Sequence, residues 1–399
     1  MALDIAITGA GIISALGLGL EKTRQNLLAG NCAINSPKHL ETAHSDLPCG
    51  EVDLSDVQLY EMCGKDSSLP LSRSSLLGIL AARQAEEDAA LEKGTRVALI
   101  SGTTVGGMDI TERHFLDYFK GNEFDPLIPL HLDGSATDPI ADSLKSNVVF
   151  TDVISTACSA AANAIAFGAE LLLEGKFDVV IAGGTECLTR YHLNGFNSLM
   201  ILDNEPCRPF DASRKGLNLG EGAGFIVLER KSHALGRGAR VRAWLSGWGN
   251  SCDAFHQTAS SPDGEGAYLA MSKALKSASL RPEDIDYINA HGTGTQNNDL
   301  SEGVALMRIF GKMMPYVSST KSFTGHATSA AAALEAVISL ICLENGFVPA
   351  NLRFREKDPG LDFCPVDRTI ENVKLNHVLS NSFGFGGNDS SLIFSSPEL

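Results

Sequence analysis

The sequence has few aromatic residues and few basic residues relative to its acidic ones. Aromatic side chains make up 7% of the 399 residues, and 32 Lys plus Arg stand against 48 Asp plus Glu, for a formal net charge of −16. Nucleic acids and anionic membranes carry charge of the same sign, so the overall field of this protein opposes binding to either. We therefore expect no nucleic-acid partner, and an acidic protein partner requires a local group of cations.

The sequence also lacks cysteine pairs, metal-binding motifs and a long apolar segment. Its nine cysteines include no CxxC pair and its ten histidines show no HExxH spacing, so we expect no metal site. The longest apolar stretch, residues 330–343, contains Glu335 and is shorter than the ~20 residues that span a bilayer. The N-terminus has no basic segment followed by an apolar run. These absences predict a cytoplasmic protein without a membrane span.

Short β-branched runs alternate with helical patterns along the chain, which predicts an α/β fold with buried sheets. The predicted strands are residues 4–8, 97–101, 153–156, 179–182, 224–229, 285–290, 317–319, 379–382 and 391–394. The clearest predicted helices are residues 159–174, 266–279 and 329–344. Residues 160–173 contain only Asn163 and Glu170 as clearly polar side chains, which is typical of a helix buried between layers. The polar stretch 229–240 is the best junction, and we predict halves at 1–230 and 241–399.

Residues 9–14, G-A-G-I-I-S, follow a predicted strand and begin like a dinucleotide-binding loop. The third glycine position of that motif is Ser14 here, and no convincing acidic residue closes a second strand ~20 residues further on. We therefore expect a tight strand-to-helix turn rather than a nucleotide site.

The most informative cysteine is Cys158, which follows a predicted strand and precedes a predicted helix. It lies among small residues in S-T-A-C-S-A-A-A-N, residues 155–163. The unpaired N–H groups and the dipole of a helix N-terminus favour a thiolate, and the same N–H groups can stabilise an oxyanion. Cys158 is therefore a candidate nucleophile, and a buried inert cysteine is the alternative that its position leaves open.

Two histidines lie among glycines and hydroxyl residues in the C-terminal half. His291 follows the strand predicted at 285–290, at the carboxyl end where open α/β sheets place their sites. His326 ends the segment K-S-F-T-G-H, directly before an apolar helix. Either one alone is more typical of a structural histidine, but together with a candidate nucleophile they predict a catalytic group.

A third candidate segment is residues 381–389, N-S-F-G-F-G-G-N-D, which we predict as a strand, a glycine-rich turn and a second strand. Its glycines allow positive φ angles and close approach of the backbone, and Phe385 at the tip can act as an apolar gate. An ordinary β-hairpin is the alternative.

Taken together, these segments resemble the elongating β-ketoacyl-acyl-carrier-protein synthases, the class I/II condensing enzymes of the thiolase superfamily. The resemblance extends over nearly the whole chain and implies a five-layer α/β/α/β/α fold made of two similar halves. The matching segments are residues 4–11, 102–107 (GxxxGG), 156–159 (TACS), 178–186 (DxxxAGGxE), 208–211 (RPFD), 220–224 (GEGAG), 291–302 (HGTGTxxNDxxE) and 321–326 (KS-x-TGH), with Glu335 nine residues beyond the last histidine.

The resemblance also implies a role for each reactive residue. Cys158 is expected to take an acyl chain from a phosphopantetheine thioester. His291 and His326 are expected to hold the thioester carbonyl of malonyl-carrier protein through Nε2–H and to stabilise the enolate left by decarboxylation. That enolate then attacks the acyl group on Cys158.

The remaining roles implied by the resemblance are supporting ones. The backbone N–H groups of Cys158 and Phe385 are expected to form the oxyanion hole, with Phe385 also acting as the gate. Lys321 and Glu335 are expected to organise charge behind the histidines. The residues expected to contact substrate are Thr293, Thr295 and Phe383. No cofactor is implied beyond the phosphopantetheine carried by acyl carrier protein.

The sequence departs from the family pattern in two places. Asn388 and Asp389 follow the glycine-rich turn where members often have Thr-Asn, and Ser329 and Ala332 stand where the next helix often has glycines. Fatty-acid elongation is the expected reaction, and a stand-alone ketosynthase for a specialised polyene, aryl-polyene or polyketide product is the alternative. A cysteine hydrolase and a non-catalytic scaffold are the alternatives from other classes, and acylation by a carrier thioester distinguishes them.

Two kinds of protein partner are implied. A homodimer is expected because residues 151–156 resemble the dimer-edge strand of the family. Acyl carrier proteins are acidic, so docking on this acidic chain must depend on a few cations near the tunnel mouth. The candidates are Lys65, Arg73, Arg214 and Lys215.

Overall fold

The computed structural model describes residues 4–121 and 127–399. Its strands are β1 (Ile5–Ser14), β2 (Gly17–Leu18), β3 (Arg96–Gly102), β4 (Asn147–Ile154), β5 (Val179–Glu186), β6 (Gly222–Arg230), β7 (Ala243–Cys252), β8 (Tyr287–Asn289), β9 (Tyr316–Ser318), β10 (Phe347–Val348), β11 (Ile370–Glu371), β12 (His377–Gly384) and β13 (Asn388–Ser395). Its helices are α1 (Leu20–Leu28), α2 (Asp56–Cys63), α3 (Arg73–Asp88), α4 (Met108–Lys120), α5 (Gly134–Ala141), α6 (Ala160–Leu173), α7 (Arg190–Ser198), α8 (Lys231–Gly236), α9 (Glu265–Ala278), α10 (Gln296–Phe310), α11 (Lys321–Thr324) and α12 (Ala331–Asn345).

Two half-sheets of the same topology make up the main sheet. The N-terminal half-sheet has the order β4-β3-β5-β6-β1, and the C-terminal half-sheet continues as β7-β13-β12-β8-β9. In each half, the three strands farthest from the junction run parallel and the other two pair antiparallel. The halves meet where β1 pairs with β7. Although no repeat is evident in the sequence, the backbone repeats one pattern twice.

The helices form three layers around these half-sheets. α6 contacts β3 and β5, α12 contacts β6 and β12, and the two helices contact each other between the half-sheets. α3 packs on the outer face of the N-terminal half, and α9 packs in the same way on β7 and β13. The five predicted layers and the buried position of α6 are therefore confirmed.

One helical segment, Thr328–Asn345, is long and apolar enough to cross a membrane by length and composition alone. However, 89% of it is buried inside the protein, because it contains α12, the central helix of the C-terminal half. Its apolar composition is therefore explained by its position between two sheets.

The predicted turn at residues 9–14 is wrong, because β1 continues through all of them to Ser14. The two glycines of this segment serve close packing instead. A Cβ atom on Gly9 would lie 2.2 Å from the carbonyl oxygen of Ala85 in α3, and one on Gly11 would lie 2.0 Å from that of Ala81. Gly247 and Gly249 of β7 make the equivalent contacts with α9. In this protein, a Gly-x-Gly pair inside a strand allows a helix to pack with its backbone against the sheet.

Other elements differ from the prediction mainly at their ends. The three predicted helices agree with α6, α9 and α12 to within two residues. The strand predicted at 153–156 instead runs from Asn147 to Ile154. The prediction missed its first residues because β4 is an edge strand, and its partly exposed residues show no clear alternation of polar and apolar side chains. β6 ends at Arg230 and β7 begins at Ala243, with α8 between them. A division of the chain into halves 1–230 and 241–399 stays a prediction.

Candidate active site

A tight turn between β4 and α6 carries the candidate nucleophile. Ala157 has a φ of 51°, in the left-handed region that costs a non-glycine residue about 1–2 kcal/mol. Hydrogen bonds hold the turn: Ser159 Oγ donates to the Thr156 carbonyl at 2.8 Å, and Asn163 Nδ2 donates to Thr156 Oγ1 at 2.8 Å. The turn places Cys158 just before Ser159, the N-cap residue of α6, where the cysteine is buried.

One cavity of about 390 Å³ brings most of the predicted site residues together. The nucleophile, both histidines, the glycine-rich turn and the predicted substrate-contacting residues all lie on its wall. They are Cys158, His291, His326, Thr293, Thr295, Phe383 and Phe385. Lys321 and Glu335 do not line the cavity but form a buried ion pair through Nζ and Oε1. The predicted residues therefore form one group, although Cys158 and Phe385 are more than two hundred positions apart in the sequence.

Backbone hydrogen bonds fix the positions of the two histidines, whose rings meet edge to face. The N–H of His291 donates to Glu302 Oε1 at 2.9 Å, and the N–H of His326 donates to the Asn218 carbonyl at 2.8 Å. Their ring centroids lie 5.2 Å apart with the planes 84° apart. The Nδ1 atom of each ring is buried and has no hydrogen-bond partner within the described residues, so the Nε2–H tautomer stays a prediction.

Burial keeps both histidine rings uncharged. It lowers the pKa of His291 and that of His326 well below 6.5, and the Lys321 ammonium lowers both further. Neutral imidazoles can still donate one hydrogen bond each, so the rings are suited to polarise a carbonyl rather than to act as cations. Burial raises the pKa of Glu335 to about 7, and its ion pair with Lys321 opposes that shift.

The surroundings of Cys158 do not favour the expected thiolate. Burial raises the pKa of Cys158 to about 12, and the Lys321 charge and the Phe385 backbone N–H lower it by less than burial raises it. The same N–H faces the sulfur, and a Cβ on Gly384 would lie 3.0 Å from the Cys158 nitrogen. The backbone of the glycine-rich turn therefore lies beside the nucleophile, as an oxyanion hole requires.

Two supporting residues were given no role in the sequence analysis, although Glu186 ends one of the matching segments. Phe196 of α7 lies on the cavity wall and stacks on Phe385, with centroids 5.7 Å apart. Glu186, in the DxxxAGGxE segment, is fully buried and accepts hydrogen bonds from Thr103, Thr104, Val105, Thr328 and Ser329. Ser329, where the resemblance led us to expect a glycine, donates its hydroxyl hydrogen to this carboxylate, so the buried hydroxyl has a partner.

Two of the four predicted docking cations are wrong. Arg73 is buried and pairs with Glu221 at 2.7 Å, so it belongs to the interior. Arg214 is buried too and pairs with Asp358. Lys215 is exposed and lies on the wall of the cavity, whereas Lys65 is half-buried. A buried arginine with a carboxylate partner cannot be released to bind a protein surface without leaving that carboxylate unpaired.

Asp389, the second of the two residues after the glycine-rich turn that differ from the expected pattern, lies against the Asp253 carboxylate. A Cβ on Gly266 would lie 2.0 Å from Asp389 Oδ2 and 2.7 Å from Asp253 Cβ, so both side chains meet at the start of α9. The Asp253 N–H donates to the Gly387 carbonyl at 2.9 Å, which ties this pair to the turn. Burial, then the charges of Asp253 and Glu302, raise the pKa of Asp389 to about 8.

Comparison with known families gives two matches that together cover most of the chain. The model of the β-ketoacyl synthase N-terminal domain matches residues 2–234, and that of the β-ketoacyl synthase C-terminal domain matches residues 242–355. Two curated relatives are each named 3-oxoacyl-(acyl-carrier-protein) synthase 2. The Staphylococcus aureus protein is 32% identical over 408 residues, covering 98% of both chains, and the Vibrio harveyi protein is 32% identical over 412 residues with the same coverage.

Solved structures with the same fold include ketosynthases that have a chain length factor. One is described as the ishigamide ketosynthase/chain length factor, with a TM-score of 0.91 and 31% identity over 99% of this chain and 100% of that chain. Another is a ketosynthase in complex with its chain length factor from Xenorhabdus doucetiae, with a TM-score of 0.81 and 32% identity over 99% of this chain and 98% of that one. These likenesses agree with the five-layer fold.

Asp389→Asn should remove a pH dependence of stability. The pKa of Asp389 is about 8 in the folded protein and ~3.9 when unfolded, so between these values the folded state holds a proton that the unfolded state has lost. The free energy of unfolding should therefore fall as pH rises towards 8. We expect the variant to be more stable than the wild type at pH 8 and to lose less stability from pH 6 to 8 in urea unfolding. Equal slopes in the two proteins would contradict this.

Proposed function

The chain belongs to the β-ketoacyl synthase family, and we propose that it condenses an acyl group on Cys158 with malonyl-acyl carrier protein, losing CO₂ to give β-ketoacyl-acyl carrier protein. The observation that supports this reaction most directly is that Cys158 and two uncharged histidines line the same cavity. As an acyltransferase of this kind, it receives both substrates as phosphopantetheine thioesters and requires no cofactor of its own. We place it in the cytoplasm, where such carriers are found in fatty-acid synthesis.

The first half-reaction loads the enzyme. The sulfur of Cys158 attacks the acyl thioester carbonyl, and the pantetheine thiol leaves with the proton that the cysteine gives up. The thiol is protonated at rest because burial raises its pKa to about 12. The backbone N–H groups of Cys158 and Phe385 donate hydrogen bonds to the tetrahedral oxyanion and stabilise its negative charge.

The second half-reaction makes the carbon–carbon bond. The bond between malonyl C2 and its carboxylate breaks, CO₂ leaves, and the electron pair remains as an enolate whose oxygen accepts N–H bonds from His291 and His326. The enolate carbon attacks the acyl carbonyl on Cys158. Collapse of the adduct releases the β-ketoacyl product and a thiolate, which takes up one proton from solvent. No strong base is needed, because loss of CO₂ supplies the carbanion.

Fatty-acid elongation is the pathway we propose first, and a specialised polyene, aryl-polyene or polyketide product is the second candidate. The second is favoured by the departures at Ser329, Ala332 and Asp389. It is also favoured by structural neighbours that are ketosynthases with a chain length factor. Both pathways use the same condensation and differ in the acyl chain.

Substitution of the nucleophile and of the histidines should separate the two half-reactions. Cys158→Ala should abolish acylation and condensation while some malonyl decarboxylation remains, since the histidines do not need the sulfur to polarise the malonyl carbonyl. His291→Ala and His326→Ala should each slow decarboxylation by about 100- to 1000-fold and affect acylation of Cys158 less. Mass spectrometry of the acyl-enzyme and release of labelled CO₂ measure the two steps. Full decarboxylation in both histidine variants would refute this division of roles.

Carrier protein docking, we propose, depends on Lys215 and Lys65. Lys215 is exposed and lies beside the cavity, so it is placed to contact an acidic carrier whose phosphopantetheine enters there. At a net charge of −16 the protein as a whole repels an acidic carrier protein. Each cation near the cavity should therefore raise the rate at which the two proteins associate.

Lys215→Glu and Lys65→Glu should raise the KM for carrier-bound substrates and leave small acyl-N-acetylcysteamine substrates unaffected. Lys93→Glu is the matched control, because Lys93 is exposed and precedes β3, far along the sheet from the end that carries Cys158. Steady-state kinetics with both substrate types measure the effect. If neither reversal changes the KM for the carrier, docking uses other residues.

The proposed homodimer is supported by an apolar surface and an open sheet edge. β4 is the edge strand of the N-terminal half and exposes Val149 and Phe150. Helix α4 exposes a further apolar group, in which Leu116 and Phe119 are each 68% exposed. An unpaired edge with exposed apolar side chains pairs readily with another chain, and a second copy provides the same edge by symmetry.

Sedimentation equilibrium of the purified chain at micromolar concentration should give twice the chain mass. The double variant Leu116→Glu/Phe119→Glu should shift the equilibrium towards the monomer, since it places charge in the apolar surface. A wild-type monomer would contradict the homodimer and would instead favour a different subunit, such as the chain length factor of the structural neighbours.

A further inference from the structure

The gate residue Phe385 is the first of three rings in contact that lead away from Cys158. Phe385 stacks on Phe196, with centroids 5.7 Å apart and planes 17° apart. The Phe196 ring meets the His192 ring edge-on, with centroids 6.1 Å apart and planes 71° apart. Phe196 and Phe385 line the cavity, whereas His192 does not. The two phenylalanine rings therefore separate the imidazole from the space in which the sulfur lies.

His192 occupies a fixed position because the start of α7 is well anchored. Thr189 Oγ1 accepts the His192 N–H at 3.1 Å, and the Glu112 carboxylate of α4 accepts the N–H groups of Arg190 and Tyr191 at 3.1 Å each. All the first-turn donors named here are thereby satisfied, which limits fraying of the helix. The imidazole is therefore presented in a defined place behind the gate.

The His192 imidazole has an unused hydrogen-bonding capacity. It is half-buried, and within residues 4–121 and 127–399 neither of its ring nitrogens has a hydrogen-bond partner. Burial lowers the pKa of His192 to about 4, so the ring is neutral and offers one N–H donor and one acceptor. The ring is only half-buried, so water can reach it, and a chain that displaces this water leaves the N–H unpaired at a cost of about 1–3 kcal/mol unless the chain brings an acceptor. The condensation described above does not use this side chain.

We propose that His192 selects the acyl chain carried by Cys158, donating a hydrogen bond to an acceptor on that chain once Phe385 has moved aside. The acceptor is either an oxygen lone pair of a keto group or the π electrons of conjugated double bonds. A saturated chain has neither, so it leaves the N–H unpaired when it displaces water from the ring. This inference rests on the proposed condensation and assigns the class of its acyl substrate.

The test compares three eight-carbon acyl-N-acetylcysteamine thioesters: the saturated chain, a mid-chain keto analogue and the fully conjugated triene. The measurement is kcat/KM for acylation of Cys158, followed by mass spectrometry. The wild type should prefer an acceptor-bearing chain over the saturated one by up to about tenfold, the effect of one neutral hydrogen bond. The keto and triene arms distinguish a lone pair from a π acceptor.

Three variants separate this role from a structural one. His192→Phe keeps an aromatic ring but removes the N–H, so it should abolish the preference, and His192→Leu tests the same loss if the first variant does not fold. His192→Gln keeps a donor and should retain part of the preference. Tyr191→Phe, the matched control, changes an exposed ring on the same turn and should keep the wild-type ratio.

Two results would overturn the inference: equal rates for the three chains in the wild type, or an unchanged ratio in a folded donor-free variant. Failure of the proposed function has a different signature, because a wild type that neither acylates Cys158 nor decarboxylates malonyl-acyl carrier protein contradicts the condensation itself.

Discussion

The geometry of the site depends on how closely the central helices α6 and α12 approach the N-terminal half-sheet. A Cβ on Gly102 of β3 would lie 2.5 Å from the Ala161 nitrogen in the first turn of α6. A Cβ on Gly224 of β6 would lie 2.7 Å from the Ala333 carbonyl in the first turn of α12. Both helices therefore begin at backbone contact with the sheet, and the segments just before them, one with the nucleophile and one with the second histidine, reach the same cavity.

The site uses burial to set the protonation of its groups. A single buried ammonium, that of Lys321, affects Cys158 and both catalytic histidines, and its own charge is balanced by Glu335. Desolvation is the largest cause of every one of these pKa shifts, so the rings stay neutral and the thiol stays protonated. Hydrogen-bond donors rather than charges are then available where the carbonyl oxygens develop negative charge.

The two halves share a topology but have diverged in chemistry. The loop after β3 wraps its hydroxyl and N–H groups around Glu186, and the corresponding loop after β8 donates its N–H groups to Glu302. Only the second loop carries a histidine, His291, at this position. A buried carboxylate holds each loop, although Glu186 ends β5 and Glu302 lies in α10, and only the loop held by Glu302 carries a reactive side chain.

The sequence by itself determined the fold class, the central helices and the reactive group, because strand and helix periodicities are local and the motifs around Cys158, His291 and His326 are contiguous in the chain. It did not determine which charges are free. Arg73 and Arg214 look like surface cations until folding brings Glu221 and Asp358 to them from distant segments. Contacts of this kind, like the stack of Phe196 on Phe385, join residues far apart in the chain. Only tertiary packing decides them, since neither propensity nor spacing encodes which distant side chain will be the neighbour.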